Sequence, residues 1–268
     1  MVEATSALRR VFESCARVAV AVSGGVDSMT LAHVAHAHFG ARARFFHAVS
    51  PAVPRAATER VKAHAERGGW RLTCLEAGEF ADPRYRSNPV NRCYFCKSNL
   101  YDGIAALSDA VVFSGANLDD LADYRPGLEA ASERGVRHPF IEAGLGKAAI
   151  RALARHLGLD ELSELPAAPC LSSRVETRLA IDPGELALID AVEESLRAAL
   201  GPVDLRCRLT AAGARLELAG AALDRFLSAD FAELRRRAEA MIRGAGKPYL
   251  GAAPYRRGSA FLRPTADA

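Results

Sequence analysis

Apolar residues in this chain come as short unbroken runs separated by longer amphipathic stretches, and that spacing predicts strands and helices in alternation. Residues 18–22 are Val-Ala-Val-Ala-Val, the pattern of a strand buried on both faces, and residues 29–39 carry apolar positions at helical spacing. The order then repeats. Residues 44–49 predict a strand and 55–67 an amphipathic helix; 70–75 and 110–113 predict further strands; 138–141 reads as a short fifth strand ahead of a helix over 147–157. Such alternation implies an α/β fold, a parallel sheet with flanking helices and right-handed crossovers, with ligands at the carboxyl ends of the strands.

After residue 175 the pattern changes. An amphipathic helix is expected over 182–200, alternating strands over 203–209 and 214–218 about a turn at Gly213, a helix over 221–243 and the start of a last strand at 249–250. This is a smaller α+β unit, so the chain divides into a domain over 1–175 and another over 176–268, with 265–268 expected to fray.

Between the first strand run, 18–22, and the helical stretch 29–39 stands the turn Ser23-Gly24-Gly25-Val26-Asp27-Ser28. Gly24 and Gly25 lack a Cβ, so the backbone is free to take left-handed angles and aim its N–H groups at one point, where Ser23 and Ser28 add hydroxyls. Such a nest at a helix N-terminus suits phosphate. It is not a Walker A loop, which needs a Lys before its Ser or Thr. It resembles the pyrophosphate loop of the ATP pyrophosphatases, which implies ATP bound at Ser23, Gly24, Gly25, Asp27 and Ser28, with Asp27 helping to place Mg²⁺.

A long polar segment over 79–91 runs into Arg92-Cys93-Tyr94-Phe95-Cys96-Lys97, and a third thiol lies in Pro169-Cys170-Leu171-Ser172-Ser173-Arg174. Two Cys three apart can grip one metal or cluster, or simply pack at a helix start. The proline before Cys170 disfavours helix, and Arg174 is available there for an anion. Cys15, Cys74 and Cys207 have no Cys neighbour in sequence and read as structural. Arg206 and Arg208, two apart on a strand, leave the same face, with Glu217 on the neighbouring strand; a paired guanidinium face recognises phosphate or carboxylate, although an exposed strand face would carry the same residues. His33, His36, His38 and His47 read as packed or surface groups.

Composition excludes more than it identifies. Half of the 268 residues are apolar and a quarter charged, and no run approaches the about 18 to 20 apolar residues of a membrane span. The charged stretch 1–17 reads as the first helix of a cytoplasmic protein, whose six Cys are then kept reduced. A net charge of +3 is too small to argue for nucleic acid, and Arg235-Arg236-Arg237 reads as a solvated helix face.

Taken together, the glycine turn, Asn88-Pro89-Val90-Asn91 with the CxxC, Gly115-Ala116-Asn117-Leu118-Asp119-Asp120 followed by Asp123-Tyr124-Arg125-Pro126-Gly127, the Cys170 segment and Tyr255-Arg256-Arg257-Gly258-Ser259 resemble the LarE family over nearly the whole chain. The resemblance implies an adenine nucleotide alpha hydrolase-like fold and an ATP-dependent sulfurtransferase that forms AMP and pyrophosphate. Its small-molecule substrate is pyridinium-3,5-biscarboxylic acid mononucleotide, converted toward the nickel-pincer nucleotide cofactor of lactate racemase. Members with one Cys in the loop matching 169–174 surrender its sulfur; members with three hold a [4Fe-4S] cluster. Cys93, Cys96 and Cys170 imply the cluster version, with Cys170 and Arg174 catalytic, and Arg206, Arg208 and Glu217 at a substrate site. A homo-oligomer, a hexamer built through the smaller domain, is implied as well. Relatives with a Lys just before the Pro-Cys loop differ from this chain, where Lys97 or Lys147 could supply that charge. Competing functions are a tRNA thiolase, an ammonia-using adenylating synthetase and a nucleotide-binding regulator with structural zinc.

Overall fold

The computed structural model describes residues 2–122, 124–167, 169–256 and 258–261. Asp123, Arg257 and the expected fraying at 265–268 lie outside these residues. Two compact units are formed, one from residues 1–85 and 91–165, the other from 86–90 and 166–268. The sequence-based boundary at 175 falls within the second.

The first unit runs α1 (Val2–Glu13), β1 (Val18–Ala21), α2 (Val26–Phe39), β2 (Ala43–Ala48), α3 (Arg55–Gly68), β3 (Leu72–Leu75), α4 (Pro83–Arg86), α5 (Arg92–Leu107), β4 (Val111–Phe113), α6 (Pro126–Glu133), α7 (Pro139–Glu142), α8 (Lys147–His156) and α9 (Asp160–Ser163). Its four strands are all parallel, in the order β3-β2-β1-β4. The mixed α/β fold expected from the alternation is therefore present. Val18, Val20 and Val22 enter a core with Phe12, Met29, Phe45, Val61, Phe113 and Ile150, while Ala19 and Ala21 face Phe46, Leu100, Tyr101 and Ile104. Period-two alternation thus buries both faces of β1, which is why its sequence has no polar position.

The expected fifth strand over 138–141 is instead helical. Arg137 alone bridges Phe113, its N–H donating to the Val112 carbonyl at 2.9 Å and its carbonyl accepting from Ser114 at 3.0 Å. Pro139 then occupies the first helical position of α7, where its fixed φ and missing N–H suit a helix start and end the pairing. His33 bonds His64 at 2.9 Å, and His47 bridges the Val22 carbonyl and the Thr58 hydroxyl, so these histidines are packed groups. Cys74 differs from its structural reading in being exposed, on edge strand β3.

The second unit contains α10 (Pro183–Leu200), β5 (Leu205–Thr210), β6 (Gly213–Leu218), α11 (Gly220–Leu227), α12 (Ala232–Gly244) and β7 (Tyr249–Pro254). β5 and β6 are antiparallel, and β7 joins β6 in parallel, giving a three-stranded sheet. Asp182 caps α10 by accepting from the Gly184 and Glu185 amides at 2.8 and 3.1 Å. The single helix expected over 221–243 is broken. Ser228 is extended (φ −65°, ψ 163°), its hydroxyl donates to the Arg225 carbonyl, and Arg235 donates to the carbonyls of Phe226 and Ser228. Arg235 thus supplies donors to the end of α11, and only Arg236 and Arg237 of that basic run are exposed. Among the described residues no helix is long and apolar enough to cross a membrane.

Candidate functional site

From β1 the chain moves outward to β2 and β3, then returns to place β4 on the other side of β1. The loops after β1 and β4 therefore part at the carboxyl ends of neighbouring strands, the crevice where open α/β sheets bind ligands. Residues 23–28 are the first of these loops. Gly24 has φ +82°, and a Cβ there would stand 2.7 Å from the Ala57 carbonyl oxygen, so only glycine fits. Gly25 differs from the expectation: its φ is −82° and ψ 163°, the extended N-cap of α2, and it needs no left-handed angle. The hydroxyl of Ser28 accepts from the Ser23 amide at 3.0 Å and lies 2.9 Å from the Ser23 hydroxyl, tying the two ends of the turn together.

The loop after β4 is pressed against the same helix start. A Cβ on Gly115 would meet the Ser28 nitrogen at 2.8 Å, a close approach that glycine alone permits. Buried Asn117 accepts from the Asp119 amide at 3.0 Å, and its own amide donates to Asp120 at 3.1 Å. Asp120 is paired with Arg125 at 2.8 Å. Asp119 accepts from the Lys147 amide at 2.6 Å and so caps α8.

Asp27, in the first turn of α2, is paired with the Lys147 ammonium through one oxygen; the other, Oδ1, is buried without a hydrogen-bond partner. Burial pushes the Asp27 carboxyl above its usual range, and Lys147 pulls against that shift. Of the two lysines that sequence offered as a missing charge, Lys147 is the one at the glycine turn. Arg60 on α3 was missed: it donates to the Gly24 carbonyl at 2.8 Å. Its signal is positional, since it lies three residues from Ala57 and one from Val61, both on the buried stripe of α3.

Cys93 and Cys96 are the second and fifth residues of α5, three apart and therefore on one side of the helix, and both are half-buried. Tyr94 between them donates to Glu133 of α6 at 2.6 Å. Among the described residues no group of three or more His, Cys, Asp and Glu side chains is gathered as for a metal ion.

In the second unit Cys170, half-buried, precedes a short 3₁₀ turn over Leu171–Arg174. Arg174 does not face outward toward an anion, as its place in that loop suggested. It is 1% exposed; its Nε and NH2 donate to the two Glu193 oxygens at 2.9 and 2.8 Å, and its NH1 donates to the Pro169 and Cys170 carbonyls at 2.5 and 3.1 Å. The cause is Glu193 on α10, fully buried: burial alone would raise its carboxyl, but Arg174, Arg197 and the Cys207 amide together hold it below the usual range. Arg174 is thus a clamp on the Cys170 loop. Cys207 is sealed, its thiol raised by burial.

Arg206 and Arg208 share a face of β5 as their spacing requires, yet that face is buried and not solvated. Arg208 pairs with Glu217 at 3.0 Å and donates to the Ser173 and Arg256 carbonyls. Arg206 donates to the Leu205 and Ala167 carbonyls, both at 2.6 Å, and lies 5.3 Å over the Tyr255 ring. Among the described residues Arg206 has no carboxylate partner, and its guanidinium is pushed down by burial and by Arg174. Glu193 acts on Arg206 only at a distance, and a buried cation without a direct ion pair is suited to an anionic ligand.

No family model matches the chain. It is 39% identical over 224 residues to slr1717, an uncharacterized protein of Synechocystis sp., covering 82% of this chain and 83% of that one. It is 32% identical over 216 residues to the pyridinium-3,5-bisthiocarboxylic acid mononucleotide synthase of Lactiplantibacillus plantarum, covering 79% of this chain and 78% of that enzyme. A third relative, the uncharacterized MJ0830 of Methanocaldococcus jannaschii, is 26% identical over 185 residues. At the identity and coverage it shares with the synthase, the chain belongs to the LarE family.

Proposed function

We propose that this protein is an ATP-dependent sulfurtransferase that adenylates a pyridinium carboxylate mononucleotide and replaces the activated oxygen with sulfur, a step in making the nickel-pincer nucleotide. The observation that carries the reading is the glycine turn at the reversal of strand order, with Gly24 at φ +82°, in a member of this family. A pyridinium carboxylate is a poor acyl donor because oxide would have to leave. Its oxygen attacks the α-phosphorus of ATP, the bond to the β-phosphate oxygen breaks, and pyrophosphate departs. A sulfur nucleophile at the oxidation level of sulfide then attacks the carbonyl carbon, and AMP leaves with the bonding pair of the C–O bond.

The chain's own groups supply binding and charge for these steps. The turn's amides and the hydroxyls of Ser23 and Ser28 accept phosphate at the N-terminus of α2. Asp27, with one buried oxygen left without a partner, fits a hard divalent cation, and Mg²⁺ held there would neutralise phosphate charge. Arg206 and Arg208 are assigned to the substrate's anionic groups, and Glu217, which pairs with Arg208, to the same substrate site as the group that orients that guanidinium. Cys93, Cys96 and Cys170, none in a disulfide and none sealed as Cys207 is, would hold a [4Fe-4S] cluster, which when bound offers sulfide an iron without a protein ligand. Arg174 keeps the Cys170 loop in one conformation. A cytoplasmic homo-oligomer built through the second unit belongs to the same reading.

The test is product analysis of ATP in the presence of Mg²⁺ and pyridinium-3,5-biscarboxylic acid mononucleotide. Equal amounts of AMP and pyrophosphate, released only when the mononucleotide is present, are expected. ADP and phosphate, or AMP formed with tRNA or ammonia in place of the mononucleotide, would overturn the reading.

A further inference from the structure

Lys147 has two points of attachment at the crevice. Its amide is capped by Asp119, so the first turn of α8 is anchored to the loop after β4, and its ammonium reaches the Asp27 carboxylate of the loop after β1. That ion pair is incomplete in two respects. The second Asp27 oxygen is buried with no partner, which costs free energy in a finished structural pair, and the pair is not sealed, since the Lys147 and Asp27 side chains are 35% and 22% exposed. Asp120 acts on Asp27 as a like charge, but it has Arg125 at 2.8 Å and Arg151 offsets part of its effect, so what this pair leaves unsatisfied is the second Asp27 oxygen itself.

A triphosphate entering the glycine turn brings still more negative charge against Asp27. A divalent cation satisfies both a carboxylate and phosphate oxygens, whereas an ammonium on Asp27 occupies the place of that cation. We infer that Lys147 is a phosphate-binding residue parked on Asp27 in the free protein: the cation arriving with the nucleotide displaces the ammonium, which then moves onto the phosphates. The four-carbon stem of lysine permits such a move without any shift of α8, whose first turn stays capped by Asp119. The inference rests on the adenylation reading and adds a residue and an exchange to it.

The exchange makes two affinities move in opposite directions when Lys147 is removed. Mn²⁺ binding to the free protein, followed by electron paramagnetic resonance, should tighten in Lys147→Met because a competing cation has gone. Binding of Mg·ATP, followed by calorimetry, should weaken by about tenfold or more, the scale of one charge-assisted hydrogen bond to phosphate. Lys147→Gln should show the same two signs, and Lys147→Arg, which keeps the charge, should leave Mg·ATP binding close to wild type. If both affinities fall together, or neither moves, Lys147 only braces Asp27 and the inference fails. A wild-type protein that binds no Mg·ATP at all would instead overturn the adenylation reading itself.

Discussion

Glu193→Leu should destabilise the second unit by about 3–5 kcal/mol, the cost of leaving a buried charge without its partner. The charge in question is the Arg174 guanidinium, 1% exposed, which would retain only the Pro169 and Cys170 carbonyls and the Ser173 hydroxyl. Arg174→Met should cost less, because Glu193 keeps Arg197 at 2.7 Å and the Cys207 amide at 3.0 Å. The double variant should be more stable than Glu193→Leu alone, since neither buried ion then lacks its partner. Urea unfolding of the four proteins closes a double-mutant cycle, and simple additivity would show that the pair is not coupled. Arg174→Met also frees the carbonyls on either side of Cys170. It should therefore lower sulfur transfer while AMP formation persists.

Gly24→Val should reduce AMP formation by about a hundredfold or more, as expected when preorganised donors are displaced from a developing charge. At φ +82° a β-branched residue is strained by roughly 1–3 kcal/mol, and its Cβ would stand 2.7 Å from the Ala57 carbonyl oxygen, so the turn has to move. Gly25 provides the contrast. Its φ is −82°, and the nearest atom to an added Cβ is the Ser23 hydroxyl oxygen at 3.8 Å. Gly25→Ala should therefore fold as the wild type does, and any loss of AMP formation would report crowding of bound phosphate, not a distorted loop. Thermal melts with nucleotide turnover for the two variants separate these cases; equal unfolding losses at both positions would contradict the assignment.

These contrasts mark what was legible in the sequence. The strand of residues 18–22, the glycine turn and the following helix were readable because period-two burial and an unbroken apolar run leave few alternatives. The apolar residues of 138–141 suit a strand or a helix, and the choice falls to helix because pairing stops at the single Phe113–Arg137 bridge and Pro139 opens α7. The break at Ser228 depends on Arg235, seven residues away, donating to its carbonyl, which no local propensity encodes.

Among the site residues, spacing gave the shared face of Arg206 and Arg208 but not its burial, because what covers a strand face is a tertiary matter. Arg174 reads as an open-loop cation until Glu193 is seen beneath it. The pairing of Lys147 with Asp27 joins residues 120 apart in sequence, and Arg60 reaches Gly24 over 36; chemistry brought together at that range has no periodic signature.

The proposed reaction exchanges oxygen for sulfur on a carboxylate first activated with ATP. The most direct measurement is mass spectrometry of the mononucleotide after incubation with anaerobically reconstituted protein, ATP, Mg²⁺ and sulfide. ATP-dependent thiocarboxylate, more than one per protomer, is expected. Complete ATP cleavage to AMP with the mononucleotide still carrying only oxygen would contradict the proposed reaction.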